Sequence, residues 1–173
     1  MNYLDREQFL KLLKSQRIRS RLIRELRFVP EEINDWDERE LLAISTRSGN
    51  EGVLLIEATS RYLLPYELTT KIADKTTGRT KSVICDFCFT WQRGANAGRI
   101  TFHRPSDGHS LTFLCCGDLQ CSQHVRNKTP QATLSRSQLH EDVTPEQRVA
   151  RLRSKLDALA TTLQSAPLAP LDT

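Results

Sequence analysis

The sequence is poor in aromatic residues and has no long apolar run. Only 6% of its 173 residues are Phe, Trp or Tyr, within a hydrophobic share of 38%. So few large apolar side chains favour a second stabilising device, such as a bound metal ion. No stretch approaches the roughly 20 apolar residues that a membrane-spanning helix needs, so we expect no membrane span.

A strong charge of one sign is also missing, because the formal net charge is +4. This excess is small for a dedicated DNA-wrapping protein, but it permits contact with acidic proteins or RNA phosphates. Residues 1–6 lack the apolar segment of a secretory signal. We therefore expect a cytoplasmic protein, and we expect it to be a monomer. Because the cytoplasm is reducing, clustered cysteines there indicate metal ligands rather than disulfides.

The first part of the chain predicts helices. Residues 5–28 are predicted to be one helix, because Asp5 and Gln8 have the spacing of a capping box and an apolar stripe follows. A second, short helix is predicted within residues 31–45. Its inward-facing residues would be Ile33, Trp36, Leu41 and Ile44.

The middle of the chain predicts a small antiparallel sheet. Strands are expected at residues 53–57 and 63–66, the second weakened by its proline. Two more, at 99–104 and 111–116, flank the turn sequence Pro105-Ser106-Asp107-Gly108 and indicate a β-hairpin.

The last part predicts helices again. A short helix is expected at residues 119–126, then an irregular polar stretch at 129–142. Thr144 and Pro145 are typical of a helix start, and leucines at spacings of three and four continue one apolar face from there. The expected division is an N-terminal helical segment at 1–48, a domain at 49–165 forming one unit with it, and a flexible tail at 166–173.

Four cysteines have the spacing of a metal site. Cys85 and Cys88 form a C-x-x-C turn that can direct two thiolates toward one ion. Cys116 and Cys121 add two more, the first at the end of the hairpin and the second at the start of the following helix. Four thiolates favour Zn²⁺ in a closed tetrahedral site, which indicates a structural rather than a catalytic metal.

Knuckle, hairpin and helix in this order are typical of a treble-clef zinc finger. The predicted fold class is therefore α+β: a treble clef packed with N-terminal helices, a small antiparallel sheet and a C-terminal helix. Cys115 neighbours Cys116 on a strand, so we expect it to face the other way as a small buried hydrophobe. His124 follows Cys121 by one helical turn and could replace it as the fourth ligand.

The cysteine segments resemble those of a known family. They are 82–90, Ser-Val-Ile-Cys-Asp-Phe-Cys-Phe-Thr, and 113–128, which contains Cys-Gly-Asp-Leu-Gln-Cys-Ser and then Arg126-Asn-Lys128. Both are similar to the C-terminal treble-clef zinc finger of elongation factor G-binding proteins, which include fusidic-acid resistance proteins. Asn127 stands where many relatives have glycine.

The resemblance implies a zinc-dependent module that binds elongation factor G and promotes its release from the ribosome. It implies no enzymatic activity. Aromatic and basic residues near the knuckle and the end of the zinc helix would contact the acidic partner. These candidates are Phe87, Phe89, Trp91, Arg93, Arg126 and Lys128.

Two other functions remain open from the residues alone. An RNA-binding protein could present phosphate-facing cations from the first helix together with Lys71, Lys75, Arg79, Lys81 and Arg93. An enzyme could use Cys115 as a nucleophile with His103 or His109 as its base, although no activating arrangement is evident. His140 has no partner at ligand spacing.

Overall fold

A computed structural model describes residues 1–16, 18–70, 72–73, 76–80, 82–104, 108–139, 142–163 and 168. The helices are α1 (Arg6–Ser15), α2 (Ser20–Glu25), α3 (Cys121–Val125), α4 (Pro130–Leu139) and α5 (Pro145–Thr162). The strands are β1 (Leu41–Ser45), β2 (Glu51–Glu57), β3 (Arg61–Thr70), β4 (Val83–Ile84), β5 (Trp91–Gln92), β6 (Ala97–His103) and β7 (Ser110–Cys116). Short 3-10 turns occupy Pro30–Glu32, Trp36–Glu38 and Gly94–Asn96.

Five strands form one antiparallel sheet in the order β1-β2-β3-β6-β7, and β4 and β5 form a separate two-stranded ribbon. The ribbon is the knuckle, inserted between β3 and β6. The predicted hairpin of β6 and β7 is confirmed, with Ala97 opposite Cys116 and His103 opposite Ser110. The mixed helices and antiparallel sheet agree with the predicted α+β class.

The sheet has a core on each face, because successive residues of a strand point to opposite sides. Val53 and Leu55 of β2 face the N-terminal helices, whereas Leu54 and Ile56 face the cysteines. We call the first side the N-terminal layer and the second the zinc-finger layer. The predicted boundary near residue 48 falls between β1 and β2, which pair along their whole length, so both layers share one sheet.

Pro65 lies inside β3, where the sequence predicted a weak strand. It stands opposite Val53. The hydrogen bond from Leu68 N to Asn50 O shows that the residue pairs of β2 and β3 with even numbers are the hydrogen-bonded ones. The nitrogen of Pro65 therefore points away from β2. On its other side β3 pairs with β6 only from Glu67 onward, so the missing N–H of Pro65 leaves no strand without a hydrogen bond.

The single helix expected at residues 5–28 is wrong, because α1 ends at Ser15 and α2 begins at Ser20. The predicted capping box is present, with Asp5 accepting from Gln8 N at 2.8 Å. A continuous helix would have turned polar Gln16 toward the core. The break instead lets buried Ile18 pack there.

The helix expected within residues 31–45 is also wrong. Two short 3-10 turns come first, and Leu41–Ser45 is strand β1. Residues 41–45 form a strand because β2 is buried on both faces and needs a hydrogen-bonding partner along its outer edge, which β1 supplies. Trp36 is nevertheless buried, as expected, and Phe28 lies edge-on to it.

The stretch 129–142 was predicted irregular, but it contains α4. The sequence did carry a start signal, because Thr129 and Pro130 repeat the cap pattern of Thr144 and Pro145. Thr129 Oγ1 accepts from Ala132 N at 3.2 Å. The helix starting at Thr144 is confirmed with its capping box.

The tail expected to be flexible from residue 166 contains one ordered contact. Leu168 is buried in the N-terminal layer and donates its backbone N–H to Arg61 O at 2.7 Å. The other tail residues lie outside the described part of the chain. Among the described helices, none combines the length and apolar character needed to cross a membrane.

Candidate metal centre

The knuckle turn brings the first two cysteines together. Cys85 N donates to Thr90 O at 3.0 Å, and Phe89 N donates to Cys85 O at 2.9 Å, closing a tight loop around Cys88. Phe89 has a φ of 59°, the left-handed conformation that costs a residue with a side chain about 1–2 kcal/mol. The loop therefore holds both sulfurs on its inner side at the expense of local strain.

The other two cysteines come from the hairpin and the helix after it. Cys116 is the last residue of β7, and Cys121 is the first residue of α3. The turn between them fits closely against β6, because a Cβ on Gly98 would lie 3.0 Å from Gly117 Cα. Gly117 N also donates to Asn96 O at 2.7 Å. Small residues thus let the turn approach β6 and aim both sulfurs at the knuckle.

The four predicted sulfur atoms converge. All lie within 4.8 Å of one another, with separations of 3.4 Å for Cys88–Cys116, 3.7 Å for Cys85–Cys121 and 3.9 Å for Cys116–Cys121. In a tetrahedral site with Zn–S bonds of about 2.3 Å, sulfur atoms are about 3.8 Å apart. All four are free thiols and buried. The cluster is able to hold a metal ion, and its donor set and spacing fit zinc.

The acid–base properties of the cluster also call for a cation. Burial raises the pKa of Cys116 well above its usual value, and the thiols of Cys85 and Cys88 add to this against the lowering effect of Cys121. Burial also acts against ionisation of Cys88, but hydrogen bonds from Cys116, Cys121 and Cys85 hold the pKa of Cys88 well below its usual value. One thiolate thus suppresses ionisation of its neighbours, whereas a central dication would stabilise several thiolates at once.

His124 is placed beside the cluster rather than in it. Its Nδ1 lies 3.1 Å from Cys116 Sγ, and its Nε2 lies 3.5 Å from Asp118 Oδ2. Burial lowers the pKa of His124, but Asp118 and Cys88 outweigh it and raise this pKa to about 9. The four sulfurs form a complete set without His124, so the geometry favours Cys121 over it as the fourth ligand.

Cys115 is buried, as predicted, but it lies in the same core cluster as Cys116, so the alternation of β7 does not remove it from the zinc-finger layer. Burial is the main cause that raises its pKa, and the thiols of Cys85 and Cys88 add to it. A raised pKa keeps this thiol protonated, and the thiol is a weaker nucleophile than the thiolate. Its sulfur packs against the backbone at Gly98, where an added Cβ would lie 3.1 Å away.

The predicted contact residues near the knuckle differ in exposure. Phe87 is only 3% exposed and packs 5.7 Å from the ring of Phe113, so its side chain is not available at the surface. Trp91 is half-buried with exposed Arg93 5.4 Å from its ring centroid. Ile84, which stands opposite Trp91 in the ribbon, is 46% exposed and was not predicted.

Phe89 is half-buried and is held by α5. The guanidinium carbon of Arg151 lies 4.2 Å from its ring centroid, and Lys155 Nζ lies 5.5 Å away. These two cations are one helical turn apart, so the ring connects the knuckle to one face of α5.

The predicted basic contacts after α3 are engaged inside the chain. Arg126 binds both carboxylate oxygens of Glu40, at 2.7 and 2.8 Å, and Glu40 is 0% exposed. Lys128 pairs with Glu38. Both contacts connect the end of α3 to the segment before β1. Spacing along the sequence could not reveal these ion pairs.

Ser122 and Gln123 extend this connection. Ser122 Oγ accepts from Glu40 N at 2.9 Å, and Gln123 Nε2 donates to Asp35. We call residues 35–40 the acidic segment. Four residues in or just after α3 therefore bind the acidic segment: Ser122, Gln123, Arg126 and Lys128.

Asn127 ends this helix in the left-handed region, with a φ of 62°. Asn127 N donates to His124 O and Lys128 N to Gln123 O, the bond pattern of a Schellman cap. Asparagine tolerates this conformation better than most residues with a side chain, so it can take the place of glycine at this helix end.

The remaining histidines lie elsewhere. His103 is the exposed last residue of β6, with Nε2 3.1 Å from Glu67 Oε1 and Nδ1 2.8 Å from Ser110 Oγ. His109 precedes β7, and His140 lies outside the described residues. Neither His103 nor His109 belongs to a group of described residues that could hold a metal.

A family model described as the FBP C-terminal treble-clef zinc-finger matches residues 7–163. Comparisons with curated proteins and with solved structures return no significant match. The matched region includes all four cysteines, all seven strands and helices α2–α5, together with α1 from its second residue. The chain therefore belongs to the FBP C-terminal treble-clef zinc-finger family, as a domain whose four-cysteine cluster is able to hold a metal ion.

Proposed function

We propose that this protein is a zinc-dependent interaction module that binds translation elongation factor G and promotes its release from the ribosome. The resemblance to elongation factor G-binding proteins and the family match support this function. The observation that carries it is an exposed apolar surface with an arginine beside it, on the knuckle that also supplies Cys85 and Cys88.

Zinc has a structural role in this proposal. Cys85, Cys88, Cys116 and Cys121 would hold it from the knuckle, the hairpin and α3. Four thiolates leave no position for water or substrate, so bound zinc supplies rigidity rather than chemistry. The free energy of metal binding then stabilises the fold of the contact surface.

The knuckle surface consists of Ile84, Trp91, Arg93 and Leu114. Ile84 and Trp91 are cross-strand neighbours, and Leu114 is 39% exposed on the adjacent edge strand. Asp86 joins the two elements, because its carboxylate accepts from Leu114 N at 2.7 Å. An apolar centre with an arginine on its rim suits an acidic partner that contributes one apolar side chain.

Arg126 and Lys128 contribute less directly. Their charges are paired with Glu40 and Glu38, so contact with a partner would first cost the loss of those pairs. We therefore assign them to holding the acidic segment. Phe89 stays at the border of the contact, since one side of its ring is covered by Arg151.

The test is calorimetric titration of the zinc-loaded full chain with elongation factor G from the same organism, at two salt concentrations. We expect saturable binding that persists at the higher salt. Trp91→Ala and Ile84→Ser should each weaken it by about 10-fold or more, as central contacts do. The matched control is Leu10→Ser, an exposed leucine on α1. Folded, zinc-loaded protein that does not bind would overturn the proposal.

RNA contact is the second candidate, and the cations over Phe89 favour it. Arg151 and Lys155 with Phe89, and Arg93 with Trp91, combine positive charge with aromatic rings, as RNA-binding surfaces do. Arg21 of the predicted patch pairs with Glu25, and Lys71, Lys75 and Lys81 lie outside the described residues. Binding to RNA that falls steeply with salt, without binding to elongation factor G, would favour this alternative.

A further inference from the structure

The four sulfurs of the cluster have unequal surroundings. Cys116 Sγ has two side-chain nitrogen atoms in contact, Gln92 Nε2 at 3.2 Å and His124 Nδ1 at 3.1 Å. Cys88 Sγ has one hydroxyl, Thr90 Oγ1 at 3.3 Å. In the described part of the chain, no side-chain amide, imidazole or hydroxyl group is hydrogen-bonded to the other two sulfurs.

Gln92 reaches Cys116 because of the alternation of β5. Trp91 faces outward on this strand, so Gln92 faces the cluster, and it is only 1% exposed. A buried amide N–H needs an acceptor, and the sulfur of Cys116 is the one that Nε2 contacts. The residue is therefore polar at a buried position for a reason other than packing.

His124 approaches the same sulfur from α3. A thiolate has no hydrogen to donate, so a hydrogen bond at 3.1 Å requires the hydrogen on His124 Nδ1. The side chain is 0% exposed, and Asp118 lies on its other nitrogen side. Two N–H donors from different elements thus converge on one sulfur.

We propose that Gln92 and His124 are positioning residues that make Cys116 the most firmly held metal ligand. Hydrogen bonds to a thiolate stabilise its charge and lower its reactivity toward protons and electrophiles. Metal loss then begins with Cys85 or Cys121, whose sulfurs lack such side-chain donors. This inference rests on the proposed zinc site but not on elongation factor G.

The first test measures zinc affinity by competition with a chromogenic chelator. Gln92→Met keeps the length and volume of the side chain but removes the donor, and we expect 10–100-fold weaker binding. Gln120→Met, at an exposed position beside Cys121, is the matched control and should bind like the original chain. Unchanged affinity in Gln92→Met would overturn the role of Gln92.

A spectroscopic readout separates positioning from packing. In the ¹¹³Cd-loaded original chain, we expect scalar coupling between cadmium and the side-chain amide hydrogen of Gln92, transmitted through Cys116 Sγ. Absence of this coupling would contradict the hydrogen bond even if Gln92→Met were less stable. An original chain that binds neither zinc nor cadmium would overturn the metal site itself, independently of any result with elongation factor G.

The second test maps the order of alkylation by N-ethylmaleimide on the zinc-loaded chain. A thiolate sulfur forms a bond to one alkene carbon while the π bond breaks, and the other carbon takes a proton from water. We expect Cys85 or Cys121 to react first and Cys116 last among the four. Gln92→Met should increase the rate at Cys116 by several-fold. Initial reaction at Cys116 in the original chain would contradict the proposal.

Discussion

The two layers on opposite faces of the sheet are stabilised by different means. The N-terminal layer is an apolar core in which Phe9 stacks 4.4 Å from Phe28 and Trp36 lies edge-on to Phe28. The zinc-finger layer is also built from large apolar side chains, and it includes the four cysteines among them. One layer thus depends on packing alone, and the other adds a metal-binding cluster.

The largest expected effect follows from removing one sulfur. Cys88→Ala should abolish tight metal binding and unfold the zinc-finger layer, because binding free energies of structural zinc sites are about 10–16 kcal/mol. Metal content after dialysis and thermal melting measure it. Cys115→Ala is the control, a buried cysteine outside the cluster that should keep its metal and lose about 1–2 kcal/mol. Full metal content in Cys88→Ala would remove Cys88 from the ligand set.

A cavity in the other layer should separate stability from metal binding. Phe9→Ala should lower the free energy of unfolding by about 3–5 kcal/mol, because Phe9 is buried in the N-terminal layer. Its zinc affinity should equal that of the original chain. Denaturant unfolding of the zinc-loaded protein and chelator competition measure the two quantities. A parallel loss of both would show that the layers are not independent.

The contact between the layers can be broken at Glu40. Glu40→Ala should cost about 3 kcal/mol, since it leaves the charge of Arg126 without its buried partner. Glu38→Ala removes the more exposed pair with Lys128 and should cost less than about 1 kcal/mol. Urea unfolding of both variants gives the comparison. Equal costs would mean that the burial of Glu40 has no energetic consequence.

The smallest expected effect concerns the end of the zinc helix. Asn127→Ala should destabilise the protein by about 1 kcal/mol, because alanine tolerates the left-handed conformation poorly. Asn127→Gly should be nearly neutral, since easier backbone geometry is offset by greater freedom in the unfolded chain. Melting temperatures of the two variants test this, and an alanine variant as stable as the glycine one would contradict it.

The sequence predicted the zinc-finger layer better than the N-terminal layer. Paired cysteines, the hairpin turn signal and the cap at Thr144 are local patterns, and each has one dominant physical reading. Strand β1 was missed because its apolar residues fit a helix or a strand equally, and only pairing with β2 decides between them. α4 was missed although Thr129 and Pro130 signalled its start, because its weakly apolar sequence hid the helical period.

The candidate site was predicted in part for a similar reason. The four sulfurs follow from spacing. Ile84 and Gln92 owe their positions to the alternation of β4 and β5, two-residue strands that no sequence pattern indicates. Arg126 and Lys128 were expected at a partner surface because their charges stand near the zinc helix. Their actual partners in the acidic segment are about 90 positions away in sequence and could not be inferred from local pattern.

Leu168 has a consequence for the order in which the protein can assemble during synthesis. It packs in the same cluster as Leu4, near the first helix, and bonds to Arg61. A ribosome releases the chain from its N-terminus, so the first core to emerge receives a contribution from the last residue that the structure describes. The N-terminal layer therefore gains its last buried side chain only after translation has passed the zinc finger and residue 168.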